Sequence, residues 1–561
     1  MASPGPPPRV VLFRANAIDS DSRAKKFSIT LARLGYEVYA LSAEPDGPPG
    51  PERSLGVAGG PQVSVVPVPV GHLQRDLNLY KVAHRRRRQF RFVDWTSQDE
   101  YVTRVRELRT AMRLARTRAA VLRRPELDHA SPPAQLRGVR LGLWAGRYLG
   151  YRTRLAVRIA RWRAQWALNV GHRMAWRSWD ALRQESALLA TTRGVLPEIE
   201  DYANAFSPVL DALAPDVIHV HHPLVLGTAI RAARRRRAGG HRCFVVYDAR
   251  EDFQGIPAQE QGHRRRHSVL VREEARYIRR VDAVVTVSEP ITRTLAERYR
   301  LTRRPALVLN VPVDDAGHRP GTLAGPTVRE VAGLAPGVPL LVYSGAVSRA
   351  RGLEVMIDAL VHLPGVHAAV VPVPHPHPMM GELIDRATSA GVADRLHFLP
   401  PVDQDHLLRY LSGADVGVIP LRTGSANIEQ ALPNKLFENL HAGLTMVTSD
   451  ARLIAEFVRE HDLGEVFADG DPADLARAVR RALDHPRDRH GAHRDALRRR
   501  FSWQGQEAAI RDLYATLVTP PTPDGIAVEP FGSLTVIPAA ATVVPPARSG
   551  QQPAHVDGRS T

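Results

Sequence analysis

The sequence predicts an α/β protein of two doubly wound domains that face a cleft. Short apolar, β-rich runs alternate with amphipathic helical stretches, which is the pattern of a parallel sheet with crossover helices. The pattern runs twice, on either side of a Pro- and Gly-dense break near residues 313–337. At 561 residues the chain is also too long for one core, since single cores seldom grow beyond ~250–300 residues.

The first strand is RVVLF, residues 9–13, followed by the turn-rich loop ANAIDSDS. The next segment, RAKKFSITLARLG, carries Phe27, Leu31 and Leu34 at helical spacing and stops at Gly35, a helix C-cap. YEVYALS is the second strand and completes a βαβ unit. DVIHVHH, CFVVYDA and AVVTVS continue the first sheet. PLLVYSG, HAAVVPV, RLHFLP, DVGVIPL and LTMVTSD build the second. The expected organisation is a first domain over residues 1–74 and 200–320, interrupted by a basic helical insertion at 75–199. A second domain covers 321–500, and a closing helix at 501–517 returns to the first. A tail rich in Pro, Ala and small polar residues at 518–561 is expected to be disordered.

Composition narrows the chemistry. The single cysteine, Cys243, excludes an internal disulfide framework, argues against a cysteine-ligated zinc and fits a reducing compartment. The start, MASPGPPPRVVLF, lacks the basic and apolar regions of a signal peptide. No apolar run reaches the ~18 residues of a membrane span. The expected location is therefore cytoplasmic, peripheral on the inner face of the plasma membrane. A net charge of +18 calls for polyanionic partners: nucleic acid, anionic lipid or phosphorylated substrates.

Residues 139–179 hold nine arginines, no acidic residue and five of the seven tryptophans. Read as a helix, Trp144, Tyr148, Tyr151, Leu155, Ile159, Trp162, Trp166 and Val170 form one stripe, with Arg147, Arg154, Arg158 and Arg161 beside it. Such a stripe suits a helix lying in a membrane interface. The same stripe also suits packing on the protein with its arginines snorkelling. It is too apolar for phosphate binding alone, so an anionic membrane surface is the expected partner rather than nucleic acid.

Two stretches of the second half carry the site. In YSGAVSRARGLEVMIDAL, residues 343–360, a strand gives way to a loop with Gly345, Arg349, Arg351 and Gly352 before a helix. Arginines beside a helix N-terminus suit a diphosphate, although solvated surface arginine is the alternative. In ADVGVIPLRTGSANIEQALPNKLFENLHAG, Pro433 opens a helix carrying Glu438. An ionised carboxylate there accepts two hydrogen bonds from a ribose diol.

Together these stretches resemble glycosyltransferase family 4, retaining nucleotide-sugar enzymes with the GT-B fold of two Rossmann-like domains. The resemblance covers residues 9–60 and 200–515, and PNKLFEN-x-x-AG looks like one branch of the family. It implies that Gly345 and Gly352 keep the family glycines and that Arg351 stands for the family lysine. Ala346 replaces the family arginine, a charge for which Arg349 substitutes. It implies that Glu438 binds the donor ribose. The family's other glutamate falls on Gln430, with Glu429 adjacent. Donor contacts are expected from the loop Glu429 to Lys435, including Asn434, and from the strand end Phe398 to Pro400.

In the first half, Asp21 and Arg23 match the family's opening, on the acceptor side. Physically, Arg23, Lys25 and Lys26 sit on a first helical turn and suit an acceptor phosphate, a membrane or simply solvent. The resemblance implies that His221 contacts the transferred sugar and that Asp248 and Glu251 line the acceptor side, with Arg250 in place of a family histidine. His221, Arg349, Arg351, Lys435 and Glu438 are thus the expected catalytic set. The expected reaction is metal-independent hexosyl transfer in cell-envelope or exopolysaccharide synthesis. A nucleotide-diphosphate sugar is the donor substrate, a glycan or lipid-linked molecule the acceptor, and no cofactor is called for. The histidines at 219, 221 and 222 keep open a sugar-nucleotide epimerase of the same fold. Ala346 and Gln430 keep open a non-catalytic nucleotide-sugar-binding scaffold.

Overall fold

The computed structural model describes residues 6–18, 21–45, 47–48, 50–51, 53–56, 60–77, 98–123, 134–185, 192–258, 264–313, 325–489, 491–520 and 535–538. They fall into two compact units, one of residues 1–75 and 190–561 and one of 76–189.

The larger unit holds two sheets. The first lobe is built on β1 (Arg9–Phe13), β2 (Glu37–Pro45), β3 (Arg53–Gly56), β4 (Gln62–Val70), β5 (Val217–Val220), β6 (Phe244–Ala249), β7 (Ala283–Thr286) and β8 (Ala306–Leu307). With β15 (Thr535–Pro538) they form one sheet in the order β15-β3-β4-β2-β1-β5-β6-β7-β8. The second lobe has β9 (Leu340–Gly345), β10 (His367–Pro372), β11 (Leu396–Phe398), β12 (Val416–Ile419), β13 (Thr445–Ser449) and β14 (Gly464–Phe467), ordered β11-β10-β9-β12-β13-β14. All pairings are parallel except β3 with β4 and β15 with β3. The strand order reverses at β1 in one lobe and at β9 in the other, and open α/β sheets place ligands at such switch points.

Two elements depart from the sequence expectation. The run VSVVPVPV forms β4 despite Pro67 and Pro69. Both prolines pair with β2 beyond Val65, where pairing with β3 stops, so no ladder hydrogen bond is lost on the open side. The tail was expected to be disordered, yet Thr535–Pro538 adds an edge strand to β3. The residues from 521 to 534 and after 538 lie outside the described ones.

The lobes share a hydrophobic cluster that joins Val10, Phe27 and Val285 of the first to Phe437, Ile454 and Trp503. Trp503 is fully buried, and its indole N–H donates to Thr30 Oγ1 at 2.8 Å. The helix Glu507–Ala515 lies against the first lobe: Tyr514 meets His219 at 2.8 Å and Glu507 pairs with Arg33 at 2.7 Å. Leu196 and Ile199 are buried in the first lobe's core, so residues 192–199, expected in the insertion, pack with the sheets.

Among the described residues, the smaller unit is built on two long helices, Gln98–Arg123 and Ala134–Glu185, of 26 and 52 residues. Tyr101 of the first stacks on Trp162 of the second, ring centroids 5.0 Å apart. Trp144, Tyr148, Tyr151, Leu155, Ile159 and Trp162 are half-buried and share one side of the long helix. That side meets the shorter helix, and Tyr148 borders a gap beside Tyr101 and Met112. The stripe expected to lie in a membrane is therefore mostly the seam of a helix pair. A two-helix hairpin buries its widest apolar face internally, and of the five aromatics named for membrane contact only Trp166 remains open, at 56% exposure.

Candidate functional site

A cavity of about 560 Å³ is lined by both lobes of the larger unit. Arg250, Glu251 and Asn310 reach it from the first lobe, and Gly345, Arg351, Asn434, Lys435 and Glu438 from the second. The two sequence stretches expected to meet on one ligand do converge here.

The helix Asn434–Ala442 explains half of this. Pro433 sits at its N-cap in an extended conformation, so the first turn faces the cavity with its positive dipole end. Leu436, Phe437 and Leu440 are fully buried and fix the rotation of the helix. Lys435 and Glu438, three residues apart, then share the cavity face.

The loop after β9 supplies the rest. Tyr343 donates its hydroxyl to Ala346 O at 2.5 Å and accepts from Lys435 Nζ at 2.8 Å, while the ammonium lies 4.1 Å from the ring centroid. Gly345 adopts φ +113°, and a Cβ there would come within 3.4 Å of Lys435 Nζ. Gly352 is more constrained: at φ +64° a Cβ would stand 1.9 Å from Pro420 O. Gly352→Ala is therefore expected to lower stability by roughly 1–3 kcal/mol or more. Urea midpoints measure the loss.

Arg250, Arg351 and Lys435 outnumber Glu251 and Glu438 in the cavity lining, a balance that favours an anion. Burial, then Arg351, push the Lys435 ammonium down to about 7, while nearby Glu438 opposes them. Burial likewise pushes the Glu438 carboxyl up against the pull of Lys435 and Lys26. Removing these two charges from water costs more than their mutual attraction returns. A bound anion would restore the lysine's charge.

Behind Arg250 lies a buried ion-pair network. Asp248, at the end of β6, accepts from Arg23 Nε and Nη2 at 2.8 and 2.9 Å and from Arg250 Nε at 3.0 Å. Asp21 caps the helix Ser22–Arg33 and also accepts from Arg250 and Arg14. His221 Nδ1 lies 2.8 Å from Asp248 Oδ2 and 2.7 Å from Arg250 Nη2. Despite burial, Arg23 and Arg250 hold the Asp248 carboxyl well below its ordinary range. Burial, then Arg250, keep His221 neutral by lowering its pKa, against Asp248.

The expected site residues separate accordingly. Gly345, Arg351, Asn434, Lys435, Glu438 and Glu251 line the cavity. Asp21, Arg23 and Asp248 are buried in the network, so Arg23 is not the free phosphate contact that its place on a first helical turn suggested. Lys26 is buried as well, bonded to Asn310 Oδ1 and Val311 O, and burial pushes it down to about 7. His221 is buried behind Arg250. Arg349 points out of the cavity: its side chain is 81% exposed and pairs with Glu382. Glu429 accepts from Arg452 N at 2.7 Å. Gln430 turns to the first lobe, where Thr294 donates to its side chain at 2.6 Å and Ser288 to its carbonyl at 2.5 Å. Phe398 packs on the second-lobe core and Pro400 is exposed, both away from the cavity lining.

Arg250 is the residue that sequence reasoning undervalued. It was visible only as a replacement for a histidine, and its reach to Asp21, Asp248, His221 and the cavity depends on strands far apart in sequence. Among the described residues, the one group with metal-ligand spacing is His219, His221 and Asp248, whose ligand atoms lie within 4.8 Å of one another. The Asp248 carboxylate already serves two guanidiniums and His219 Nδ1 meets Tyr514, so a dication there would face Arg23 and Arg250 directly.

Comparison with known proteins adds a second line. Residues 183–316 match the family model described as Glycosyltransferase Family 4, and residues 338–485 match Glycosyl transferases group 1. A D-inositol 3-phosphate glycosyltransferase of Mycolicibacterium gilvum is 30% identical over 204 residues, 34% of this chain and 45% of the relative. The chain thus spans about half the length of that relative. A glycogen synthase of Mycobacterium tuberculosis is 28% identical over 321 residues, 54% of this chain and 68% of the relative. The solved sucrose-phosphate synthase of Thermosynechococcus elongatus superposes with a TM-score of 0.56 at 12% identity, over 91% of this chain and 99% of that one, a likeness of fold alone.

Proposed function

Because the chain belongs to glycosyltransferase family 4 and has the GT-B fold, we propose that it is a retaining glycosyltransferase that takes its sugar from a nucleotide-diphosphate donor held in the interlobe cavity. The observation that carries this reading is the convergence of Arg351, Lys435 and Glu438 on one cavity of nucleotide size. Glu438 accepts the ribose hydroxyls, Arg351 and Lys435 take the diphosphate, and Arg250 faces them from the acceptor lobe. The cations stabilise charge as it develops on the leaving diphosphate, so chelators should leave turnover unchanged. The acceptor is a glycan or a lipid-linked molecule of cell-envelope or exopolysaccharide synthesis, with the enzyme peripheral at the membrane. No helix among the described residues is long and apolar enough to cross one. Release of UDP or GDP from a panel of nucleotide sugars, with and without lipid extract, tests the proposal. Nucleotide binding without turnover on any acceptor would instead favour a scaffold, in which Gln430 has become a lobe contact.

Proton linkage gives a sharper check. Burial and Arg351 push Lys435 down to about 7, and an adjacent diphosphate raises it. Between about pH 7 and 10 the complex then holds a proton that the free protein lacks. Nucleotide binding should take up a proton in that range, and affinity should fall as pH rises. Calorimetry in buffers of different ionisation enthalpy reads this, and Lys435→Met should abolish the uptake.

A further inference from the structure

The long helix Ala134–Glu185 has a second, uncovered face. Val139, Leu143 and Val157 are 62%, 61% and 43% exposed. With Gly146 and Gly150 they recur at helical spacing, on a side away from the seam with the shorter helix. Nothing lies within 4 Å of where a Cβ would stand on Gly142, Gly146 or Gly150. These glycines floor an open groove bordered by Val139, Leu143, Arg147 and Arg154. Leu168 and Trp179, each 46% exposed, continue the same side toward the helix end.

Charge decides what covers it. Arg140, Arg147, Arg154 and Arg161 recur every seven residues, so they form one row beside the apolar one. All four are exposed, and none has an ion-pair partner among the described residues. Residues 139–179 carry no carboxylate to receive them. A second copy of this helix would bring arginine against arginine. Nucleic acid would meet the arginines and leave Val139, Leu143 and Val157 in water. An anionic bilayer answers both rows, phosphates for the guanidiniums and the acyl boundary for the aliphatics.

We propose that this face, opposite the aromatic seam, docks the protein on an anionic phospholipid surface. The inference rests on the insertion alone and stands or falls independently of the nucleotide cavity. The test is co-flotation of the full chain with vesicles of phosphatidylglycerol and phosphatidylcholine, against phosphatidylcholine alone. R147Q/R154Q should weaken binding on the order of 30-fold. R152Q/R163Q removes the same charge from another exposed side of the helix and should weaken it only a few-fold. L143N/V157N should weaken it roughly ten-fold with the net charge unchanged. Circular dichroism and urea midpoints confirm that each variant folds. Equal losses in the two arginine pairs would overturn the proposal. So would full binding by L143N/V157N, tighter binding to duplex DNA than to vesicles, or a dimer that R147Q/R154Q dissociates.

Discussion

Lys435→Ala is expected to lower kcat/KM for the nucleotide sugar by about 10²–10³-fold, most of it in kcat. The ammonium enters the cavity from the first turn of the helix Asn434–Ala442 and is held there by Tyr343, 2.8 Å away. Burial disfavours its charge, so in the proposed transfer its electrostatic contribution is greatest when the leaving diphosphate gathers negative charge. A group held against desolvation in this way stabilises the transition state more than the ground state. Steady-state kinetics separates the cases: a rise in KM alone would mean that Lys435 only binds the donor. Lys435→Arg should recover part of the rate, since it keeps the charge but not the fit beside Gly345. The helix should survive, because Leu436, Phe437 and Leu440 anchor it.

Asp248→Ala is expected to cost about 3–5 kcal/mol of stability. Arg23 has no exposed surface and takes both Asp248 oxygens. Removing the carboxylate strands that guanidinium without water, with Val308 O at 2.9 Å as its remaining acceptor. Arg250 and His221 lose the same partner. Urea denaturation measures the loss. Asp211→Ala makes the contrast, because its pair with Arg235 is nearly half-exposed on both sides, and the change should stay within ~1 kcal/mol. The sign with pH follows from the depressed Asp248 carboxyl. Its stabilisation is present above the unfolded value of 3.8 and is lost as pH falls through the lower folded one. A variant that unfolds no more easily than Asp211→Ala would mean the network is not the structural support of this lobe.

The cavity was more legible in the sequence than its surroundings. Glu438 could be placed on the helix that Pro433 opens, and Arg351 and Gly352 in a strand-loop-helix pattern, while Lys435 was marked only by the family resemblance. Arg349 and Arg351 were indistinguishable at that level, since both are cations in one loop. The turn Arg349–Arg351 sends one toward Glu382 and the other into the cavity. Gln430 is similar: its partners, Ser288 and Thr294, lie more than a hundred residues away. The resemblance puts Asp21, Arg23 and Asp248 on the acceptor side, whereas packing buries all three in one ion-pair network, because charged residues read as solvent-facing until their partners are known.

By itself the sequence determined what is periodic and local: two runs of β-α units, the helix carrying Lys435 and Glu438, the glycine at 352 and an arginine-rich helix without carboxylates. These follow from spacing, capping and backbone sterics within a few residues of one another. Tertiary structure alone decided which faces those elements spend on each other. The aromatic stripe of the long helix became a seam, its plainer arginine-edged side stayed open, and Arg23 was buried against Asp248, 225 residues away. Periodicity names the residues that share a face, but only packing says what that face meets, because burial is a property of two surfaces and a helix carries one.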